Sequence, residues 1–382
     1  MPTETPPHHD DWQRTRWRSE LRRKLLDWFS THARELPWRS DPTPYHVWVS
    51  EIMLQQTQVA TVLPYYQRWM ESFPTIAELA AAEESELMRH WEGLGYYRRV
   101  RSMHAAAKKI MADHDGRFPL DYDQVLALPG VGRYTAGAVL SISSDAKLPV
   151  LEGNTQRVYS RWIALRASPT ENAGNKLLWE FATRMLPRRG SGQFNQAAME
   201  LGALVCLPKQ PKCDQCPVQN HCRAAELQLQ SEIPGKIKRI KYEDRTEFAL
   251  ILSRRSRGTT QYLARPLPDG GRWAGLWDFP RCTHATTESV DAAADWLSDQ
   301  LGAKIAPGVR LQTLRHAVTK FRISLHVHQA SFASAAGVAK RKPPEPWQWV
   351  SLDQIRTLPL SVTGRKIAKF LVDDPQPILP LR

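Results

Sequence analysis

Leu128-Pro-Gly-Val-Gly-Arg-Tyr-Thr-Ala136 joins two stretches of apolar, helical periodicity. Its glycines permit positive φ angles and close approach of another backbone. The N–H groups at the start of the following helix favour an anion, because the helix dipole is positive there. The stretch therefore predicts two helices around a tight turn, with Gly130 and Gly132 placed to bind a phosphate. A plain helix-turn-helix corner has the same G-x-G pattern and remains the alternative from these residues alone.

Four cysteines follow this turn with the spacing C-x6-C-x2-C-x5-C, at Cys206, Cys213, Cys216 and Cys222. Thiolates select iron–sulfur clusters, zinc or copper. Structural zinc sites often contain two C-x2-C pairs, whereas this set contains one. The chemistry of the residues thus gives an iron–sulfur cluster and zinc similar weight, and a structural role is expected for either. Cys282 stands apart and is interpreted as a core residue.

The size and charge of the chain narrow its class. It has 382 residues, which suits two domains, and its net charge of +13 suits a polyanionic partner.

No apolar run reaches the roughly 18–20 residues that span a bilayer, so no membrane association is predicted. Residues 1–11 lack the apolar core of a secretory signal and are predicted to be disordered. We expect a reducing, cytoplasmic location (nucleoid-associated in a bacterium), where clustered cysteines are more often metal ligands than disulfides.

The periodicity divides the chain into two domains. Residues 12–225 show helical patterns separated by short Pro/Gly breaks and predict an all-α domain. Residues 226–244 are polar and basic and predict a solvated linker with Lys236, Lys238, Arg239 and Lys241 close together. Residues 245–375 predict a smaller α+β domain. Its expected strands are Phe248–Leu252, Gln261–Ala264 and Phe321–His328, and its expected helices are Val290–Leu301 and Gly364–Val372.

Several motifs in family order resemble the helix-hairpin-helix base-excision glycosylases, and within them the adenine DNA glycosylase family. The matching stretches, besides the hairpin and the cysteines, are Leu36-Pro-Trp-Arg39, Trp48-Val-Ser-Glu-Ile-Met-Leu-Gln-Gln-Thr57, Gly93-Leu-Gly-Tyr-Tyr97 and Phe194-Asn-Gln-Ala-Ala-Met-Glu-Leu-Gly202. The resemblance implies a [4Fe–4S] cluster on the four cysteines and a C-terminal Nudix-like domain. It also implies a monomeric enzyme that acts on duplex DNA containing 8-oxoguanine:adenine or guanine:adenine mispairs.

Two carboxylates are candidates for the chemistry. Glu51 lies in an otherwise apolar helical segment. Burial there would raise its pKa, so that the carboxyl group stays protonated near neutral pH. The resemblance assigns Glu51 to the acid that protonates adenine N7; a capping or ion-paired glutamate is the alternative. Glu152 stands where the family has an aspartate that stabilises the sugar cation. Its side chain is one methylene longer, so either the backbone retracts or the carboxylate crowds the sugar carbon.

The remaining candidates surround these carboxylates. Asn154 matches a family asparagine near the same centre. Tyr134 occupies the position at which bifunctional relatives have a nucleophilic lysine, which implies a monofunctional glycosylase. The resemblance further assigns base-pocket or DNA contacts to Arg39, Leu54, Gln56, Thr57 and Tyr96, of which Gln56 and Tyr96 resemble the residues that enter the base stack. For Thr57 a polar cap near the pocket is the alternative interpretation.

The C-terminal domain lacks the acid-rich helix of a catalytic Nudix box, so no nucleotide hydrolysis is predicted. In the family, a Phe-Ser-His loop contacts 8-oxoguanine. Val318, Thr319 and Lys320 take those places here. Thr319 retains a hydroxyl for hydrogen bonding, and Lys320 replaces the imidazole with a cation that is expected to bind a DNA phosphate instead. A strand-connecting loop without base contact is the alternative.

Three other functions remain open on the sequence alone. Another helix-hairpin-helix glycosylase, for example one acting on pyrimidines, is disfavoured by Tyr134 and by the second domain. The only feature that favours a DNA-lesion binding protein without catalysis is Glu152, because it replaces the family aspartate. A Nudix hydrolase is opposed by the missing metal-binding helix.

Overall fold

The computed structural model describes residues 10–235, 241–268, 270–271, 273–283, 289–333 and 342–373. Residues 1–9 of the predicted disordered N-terminus lie outside these ranges, as does the basic cluster at Lys236, Lys238 and Arg239. The prediction for residues 1–11 is wrong at Asp11, which begins a 3-10 helix. The described chain separates into two compact units. The first contains residues up to 81 and those from 98 to 235, and the second contains residues 82–97 and those from 241 onward.

The helices are α1 (Thr15–His32), α2 (Pro37–Ser40), α3 (Pro44–Leu54), α4 (Val59–Ser72), α5 (Ile76–Ala81), α6 (Glu84–Trp91), α7 (Arg98–Asp113), α8 (Tyr122–Leu126), α9 (Arg133–Ser144), α10 (Gly153–Trp162), α11 (Asn172–Met185), α12 (Ser191–Leu204), α13 (Arg223–Glu226), α14 (Val290–Leu301), α15 (Leu352–Thr357) and α16 (Val362–Asp373). Short 3-10 turns occur at Asp11–Gln13, Cys213–Gln215 and Gln219–His221. The strands are β1 (Glu243–Ser256), β2 (Thr259–Pro266), β3 (Trp277–Asp278), β4 (Arg281–Cys282), β5 (Ile305–Val318), β6 (Phe321–Phe332) and β7 (Gln348–Ser351). Within the described ranges, every helix is too short or too polar to cross a membrane.

The first unit is a bundle of helices, as the periodicity predicted. Helix α3 begins after Thr43, whose hydroxyl accepts a hydrogen bond from the His46 N–H at 3.2 Å, and Pro44 is tolerated at its first position. Most of α3 is buried, and it packs against α9. A second layer, formed by α1, α10, α11 and α12, encloses an aromatic core that includes Trp12, Tyr159 and Phe181.

The second unit confirms the expected α+β domain. Strand β1 pairs in parallel with β6 and antiparallel with β2, which makes the sheet mixed. Alternate β1 residues contact opposite helices, as the pleat requires: Phe248 and Leu250 pack in the cluster with α14, whereas Ile251 packs in the cluster with α16. The sheet therefore has helices on both faces, and α14 has the bounds that the sequence predicted.

Two boundaries differ from the predicted ones. Residues 82–97 belong to the second unit, although the periodicity placed them in the helical domain. The beginning of the predicted linker also packs against the first unit. Ile233 is only 2% exposed, and its carbonyl accepts a hydrogen bond from the Arg161 guanidinium at 2.9 Å. This buried contact makes the solvated linker shorter than its polar composition suggested.

Candidate active site

The first unit contains a cleft with a volume of about 820 Å³. Its walls come from α2, the end of α3, the beginning of α9, the beginning of α10 and the end of α12. The cleft brings together every site residue that the sequence predicted in this unit outside the hairpin and the cysteines: Arg39, Glu51, Leu54, Gln56, Thr57, Tyr134, Glu152 and Asn154. Residues that are far apart in sequence thus share one chemical environment.

Glu51 lies in the apolar middle of α3 and is 3% exposed. The Tyr134 hydroxyl, from the first turn of α9, donates a short hydrogen bond to its carboxyl group. Burial raises the pKa of Glu51, the Tyr134 hydrogen bond opposes this shift, and the negative charge of Glu152 adds to it, so that the pKa is raised to about 7. A carboxyl group with this pKa still holds a proton over much of the neutral range.

Glu152 is the N-cap of α10. One carboxylate oxygen accepts the Asn154 N–H at 2.7 Å, and the other accepts the Thr155 N–H at 2.8 Å. The Thr155 hydroxyl in turn accepts the Glu152 N–H at 2.8 Å, which completes a capping box. The longer side chain therefore folds back over the start of its own helix. Burial raises the pKa of Glu152, and the two backbone N–H bonds oppose this shift without cancelling it.

Asn154 is held by a buried arginine from the next turn of α10. Arg157 donates to the Asn154 side-chain oxygen at 2.8 Å, to the Gly202 carbonyl at 2.8 Å and to the Cys206 carbonyl at 2.7 Å. A side chain at Gly202 would meet the Asn154 Cβ at 2.6 Å, so only glycine permits this approach. Arg157 thus connects the cleft to the loop that begins at Cys206, a role that the sequence analysis missed.

A second buried carboxylate on the cleft wall was also missed. Glu200, 1% exposed, receives hydrogen bonds from the Arg34 guanidinium at 2.8 and 2.7 Å and from Arg39 at 2.9 Å. Burial raises the pKa of Glu200, but the two arginines outweigh this effect and hold the pKa at about 2. Arg39 also donates to the Gln196 side-chain oxygen at 3.1 Å. Both residues that contact Arg39 lie in the Phe194–Gly202 motif, so this motif was the signal in the sequence from which Gln196 and Glu200 could have been found.

The four cysteines line one small pocket under the end of α12. Their sulfurs receive polar contacts from neighbouring side chains: Arg161 donates to the Cys206 sulfur at 3.3 Å, and Gln230 donates to the Cys213 sulfur at 3.8 Å. Among the described residues, His, Cys, Asp and Glu side chains form no group of three or more that is arranged around a single metal ion.

The glycine hairpin connects α8 to α9. Gly130 has φ +76°, and a Cβ there would lie 2.5 Å from the Ser102 Cβ. Gly132 is the N-cap of α9, and nothing lies within 4 Å of its Cβ position. The space beside Gly132 is therefore open at the positive end of a 12-residue helix, whereas Ser102 occupies the space beside Gly130.

The other predicted residues belong to the second unit. Tyr96 is 56% exposed and has φ +50°. Thr319, with φ +51°, lies at the exposed turn between β5 and β6. Lys320 donates to Glu243 at 2.6 Å in a pair whose side chains are both about half exposed, so its charge is engaged by a surface carboxylate.

Comparisons with known proteins match both units. A family model described as HhH-GPD superfamily base excision DNA repair protein matches residues 49–184, and a NUDIX domain model matches residues 250–369. The adenine DNA glycosylase of Mus musculus is 34% identical, over 93% of this chain and 78% of the relative. The adenine DNA glycosylase of Homo sapiens is 32% identical, over 91% and 73%. The solved structure of a thermostable thymine-DNA glycosylase is 26% identical with a TM-score of 0.51, and the match covers 57% of this chain and 100% of that one.

The raised pKa of Glu51 predicts a pH-dependent effect of Glu51→Gln on stability. Because the pKa of the folded Glu51 carboxyl is raised from its ordinary value of 4.5 to about 7, its ionisation destabilises the fold fully above pH 7 and not at all well below pH 4.5. We expect Glu51→Gln to stabilise the protein, by about 2 kcal/mol more at pH 8.5 than at pH 5.5. Thermal and urea unfolding at several pH values measure this difference. The exposed Glu35→Gln is the control, and equal stabilisation by Glu51→Gln at both pH values would contradict the raised pKa.

Proposed function

The chain belongs to the adenine DNA glycosylase family, and we propose that it hydrolyses the N-glycosidic bond of adenine mispaired with 8-oxoguanine or guanine in duplex DNA. As a family member it is a DNA N-glycosylase of base excision repair. The observation that carries the finer proposal is the pairing of a buried, protonatable Glu51 with a helix-capping carboxylate in one cleft. These two groups have the properties that release of adenine requires.

Release of adenine needs a proton on the base and an anion beside the sugar. The C1′–N9 bond breaks and its electron pair leaves with the base, while Glu51 transfers its proton to the base. The positive charge that develops at the sugar is stabilised by the ionised Glu152, which also accepts a proton from the water whose oxygen bonds to C1′. Tyr134 orients the Glu51 carboxyl through its hydroxyl, and Asn154 lies at the same helix start as Glu152. Two carboxyl groups with divided roles are typical of glycosidic hydrolysis.

The position of Glu152 supports activity despite the longer side chain. Both of its oxygens are bound to N–H groups at the start of α10, which holds the charge close to the backbone and at the positive end of the helix dipole. The side chain itself takes up the extra methylene by folding back onto the start of α10, whereas the sequence suggested either a retracted backbone or a carboxylate that crowds the sugar carbon.

The proposed reaction is monofunctional, and the lining of the cleft supports this part of the proposal. Cleavage of the strand by β-elimination requires an amine that attacks the sugar. Tyr134 stands where a lysine would supply this amine, and the described residues that line the cleft include no lysine. Hydrolysis with water as the nucleophile is the remaining route.

The DNA contacts complete the proposal. The hairpin backbone at Gly130 and Gly132 binds a phosphate. Gln56 and Tyr96 enter the base stack. Both have positive φ angles, of +58° and +50°, which are unusual for residues with side chains and often occur at functional sites. In the second unit, Thr319 presents the hydroxyl for recognition of the oxidised guanine.

Cys206, Cys213, Cys216 and Cys222 hold a [4Fe–4S] cluster in this proposal. The four cysteines line one pocket, and cysteine thiolates are the usual ligands of iron–sulfur clusters. When bound, the cluster cross-links the loop between α12 and α13, and the Arg161 and Gln230 hydrogen bonds to sulfur suit thiolate ligands.

The glycosylase proposal predicts the products of a single-turnover reaction with an 8-oxoguanine:adenine duplex. Adenine is released, and the strand breaks only after hot alkali, because no amine opens the sugar. Glu51→Gln should lower the rate by at least about a thousandfold with little change in DNA affinity, because the proton donor is lost. Glu152→Asp should stay active, since the family uses that residue.

The outcomes separate the alternatives. Release of a pyrimidine instead of adenine would indicate a different glycosylase. Tight binding without an abasic product would indicate a lesion binder. Strand cleavage without alkali would contradict the monofunctional reaction.

The cluster proposal predicts a brown protein with a broad visible absorption band and about four iron and four sulfide per chain. Cys213→Ser should lower the absorption and the iron content, because one ligand is lost. Cys282→Ser is a matched control, since Cys282 is a buried cysteine of the second unit. A colourless protein with one zinc per chain would overturn the assignment.

A further inference from the structure

Residues 82–97, which separate α5 from α7 in sequence, are part of the second unit. They form α6 and the glycine-rich turn that ends in Tyr96 and Tyr97. Trp91 and Leu94 are buried, at 0% and 5% exposure, whereas Tyr96 is 56% exposed. The turn is thus fixed by its apolar residues and presents one aromatic ring to solvent.

The main polar anchor of this segment is Glu92. Arg365, from the first turn of α16, donates two hydrogen bonds to the Glu92 carboxylate, at 2.6 and 2.8 Å. The Leu360 N–H approaches the same carboxylate at 3.4 Å. The Glu92 and Arg365 side chains are only 17% and 32% exposed. A two-point guanidinium–carboxylate pair of this kind fixes direction as well as distance.

The Arg365 guanidinium is itself held rigidly. It donates to the Leu358 carbonyl at 2.7 Å and to the Ile355 carbonyl at 3.1 Å. The neighbouring backbone continues this connection to the sheet, because the Trp277 N–H donates to the Pro359 carbonyl at 2.7 Å. Glu92 is therefore bonded to a part of the second unit that joins α15, α16 and β3.

Tyr96 follows Glu92 by four residues. The Trp91 indole N–H donates to the Gly95 carbonyl at 3.0 Å, which closes the turn between the anchor and the exposed ring. Tyr96 has φ +50°, a left-handed conformation that is unfavourable for a residue with a side chain. A strained, exposed aromatic residue persists because the surrounding contacts determine its backbone.

We propose that Arg365 and Glu92 form a positioning pair that fixes the Tyr96 turn to the Nudix-like unit and thereby determines how strongly the enzyme prefers 8-oxoguanine over guanine opposite adenine. This rests on the proposed function, in which Tyr96 enters the stack and Thr319 faces the oxidised guanine. Tyr96 and Thr319 belong to the same unit. The ion pair therefore couples insertion of the Tyr96 ring to recognition of the base opposite adenine. Loss of the pair separates the two events and leaves the carboxyl groups of the first unit in place.

The test compares single-turnover rates and DNA affinities for 8-oxoguanine:adenine and guanine:adenine duplexes. Glu92→Gln and Arg365→Lys are expected to lower the preference for the oxidised duplex about tenfold, mainly by weakening its reaction. Glu86→Gln, an exposed residue of the same helix α6, is the matched control and keeps the preference. The charge-reversed double variant Glu92→Arg with Arg365→Glu should recover part of the preference lost in the single variants, which a loss of folding would not allow.

Three results would overturn the proposal: a preference within about twofold of the unmodified protein in both single variants, an equal loss on both duplexes, or no recovery in the double variant. Melting curves show which variants are folded. If Glu92→Gln does not fold, Arg365→Lys supplies the test. Failure of the proposed function is a separate result, since the unmodified protein would then release no adenine or show no preference to lose.

Discussion

Burial of the Glu51 carboxyl among apolar residues of α3 raises its pKa to about 7, and the proposed chemistry of the cleft depends on this shift. Glu200 lies on the wall of the same cleft and is equally buried, yet its pKa is held at about 2. The difference is in the neighbours: two guanidinium groups surround Glu200, whereas a tyrosine hydroxyl and the negative charge of Glu152 act on Glu51. Two carboxyl groups whose environments push their pKa values apart identify the acid. In the proposed reaction Glu51 supplies the proton, whereas Glu200 is an anion bound by Arg34 and Arg39.

Helix α10 joins the catalytic groups to the cysteine loop. Its N-cap is Glu152, its first turn contains Asn154, and its buried face carries Arg157 and Arg161. Arg157 binds Asn154 and the Cys206 carbonyl, and Arg161 binds the Cys206 sulfur and the Leu207 carbonyl. The cysteine loop is therefore connected to the framework that orients the site, and the proposed cluster would have a structural role there, outside the cleft.

Local signals in the sequence predicted much of this structure. Helical periodicity and turn chemistry predicted the hairpin around Gly130 and Gly132 and the bounds of α14, and motif order predicted the residues that meet in the cleft. The missed features depend on contacts between residues distant in sequence. The Phe194–Gly202 motif contains Glu200 but does not reveal its pairing with Arg34, which lies 166 positions away. The Glu92–Arg365 pair likewise joins residues 273 positions apart, and no local pattern indicated that residues 82–97 group with the second unit. The sequence could not show that the Glu152 side chain folds back, because that conformation depends on two hydrogen bonds from backbone N–H groups.

The central claim is that a proton on buried Glu51 releases adenine while Glu152 remains ionised. The most direct test is the single-turnover rate of adenine release from an 8-oxoguanine:adenine duplex between pH 5.5 and 9. The account predicts that the rate falls about tenfold per pH unit above a midpoint near 7, because the fraction of protonated Glu51 falls in the same way. A rate that stays constant from pH 6 to 9, with adenine as the product, would show that the proton comes from another group and would contradict the account.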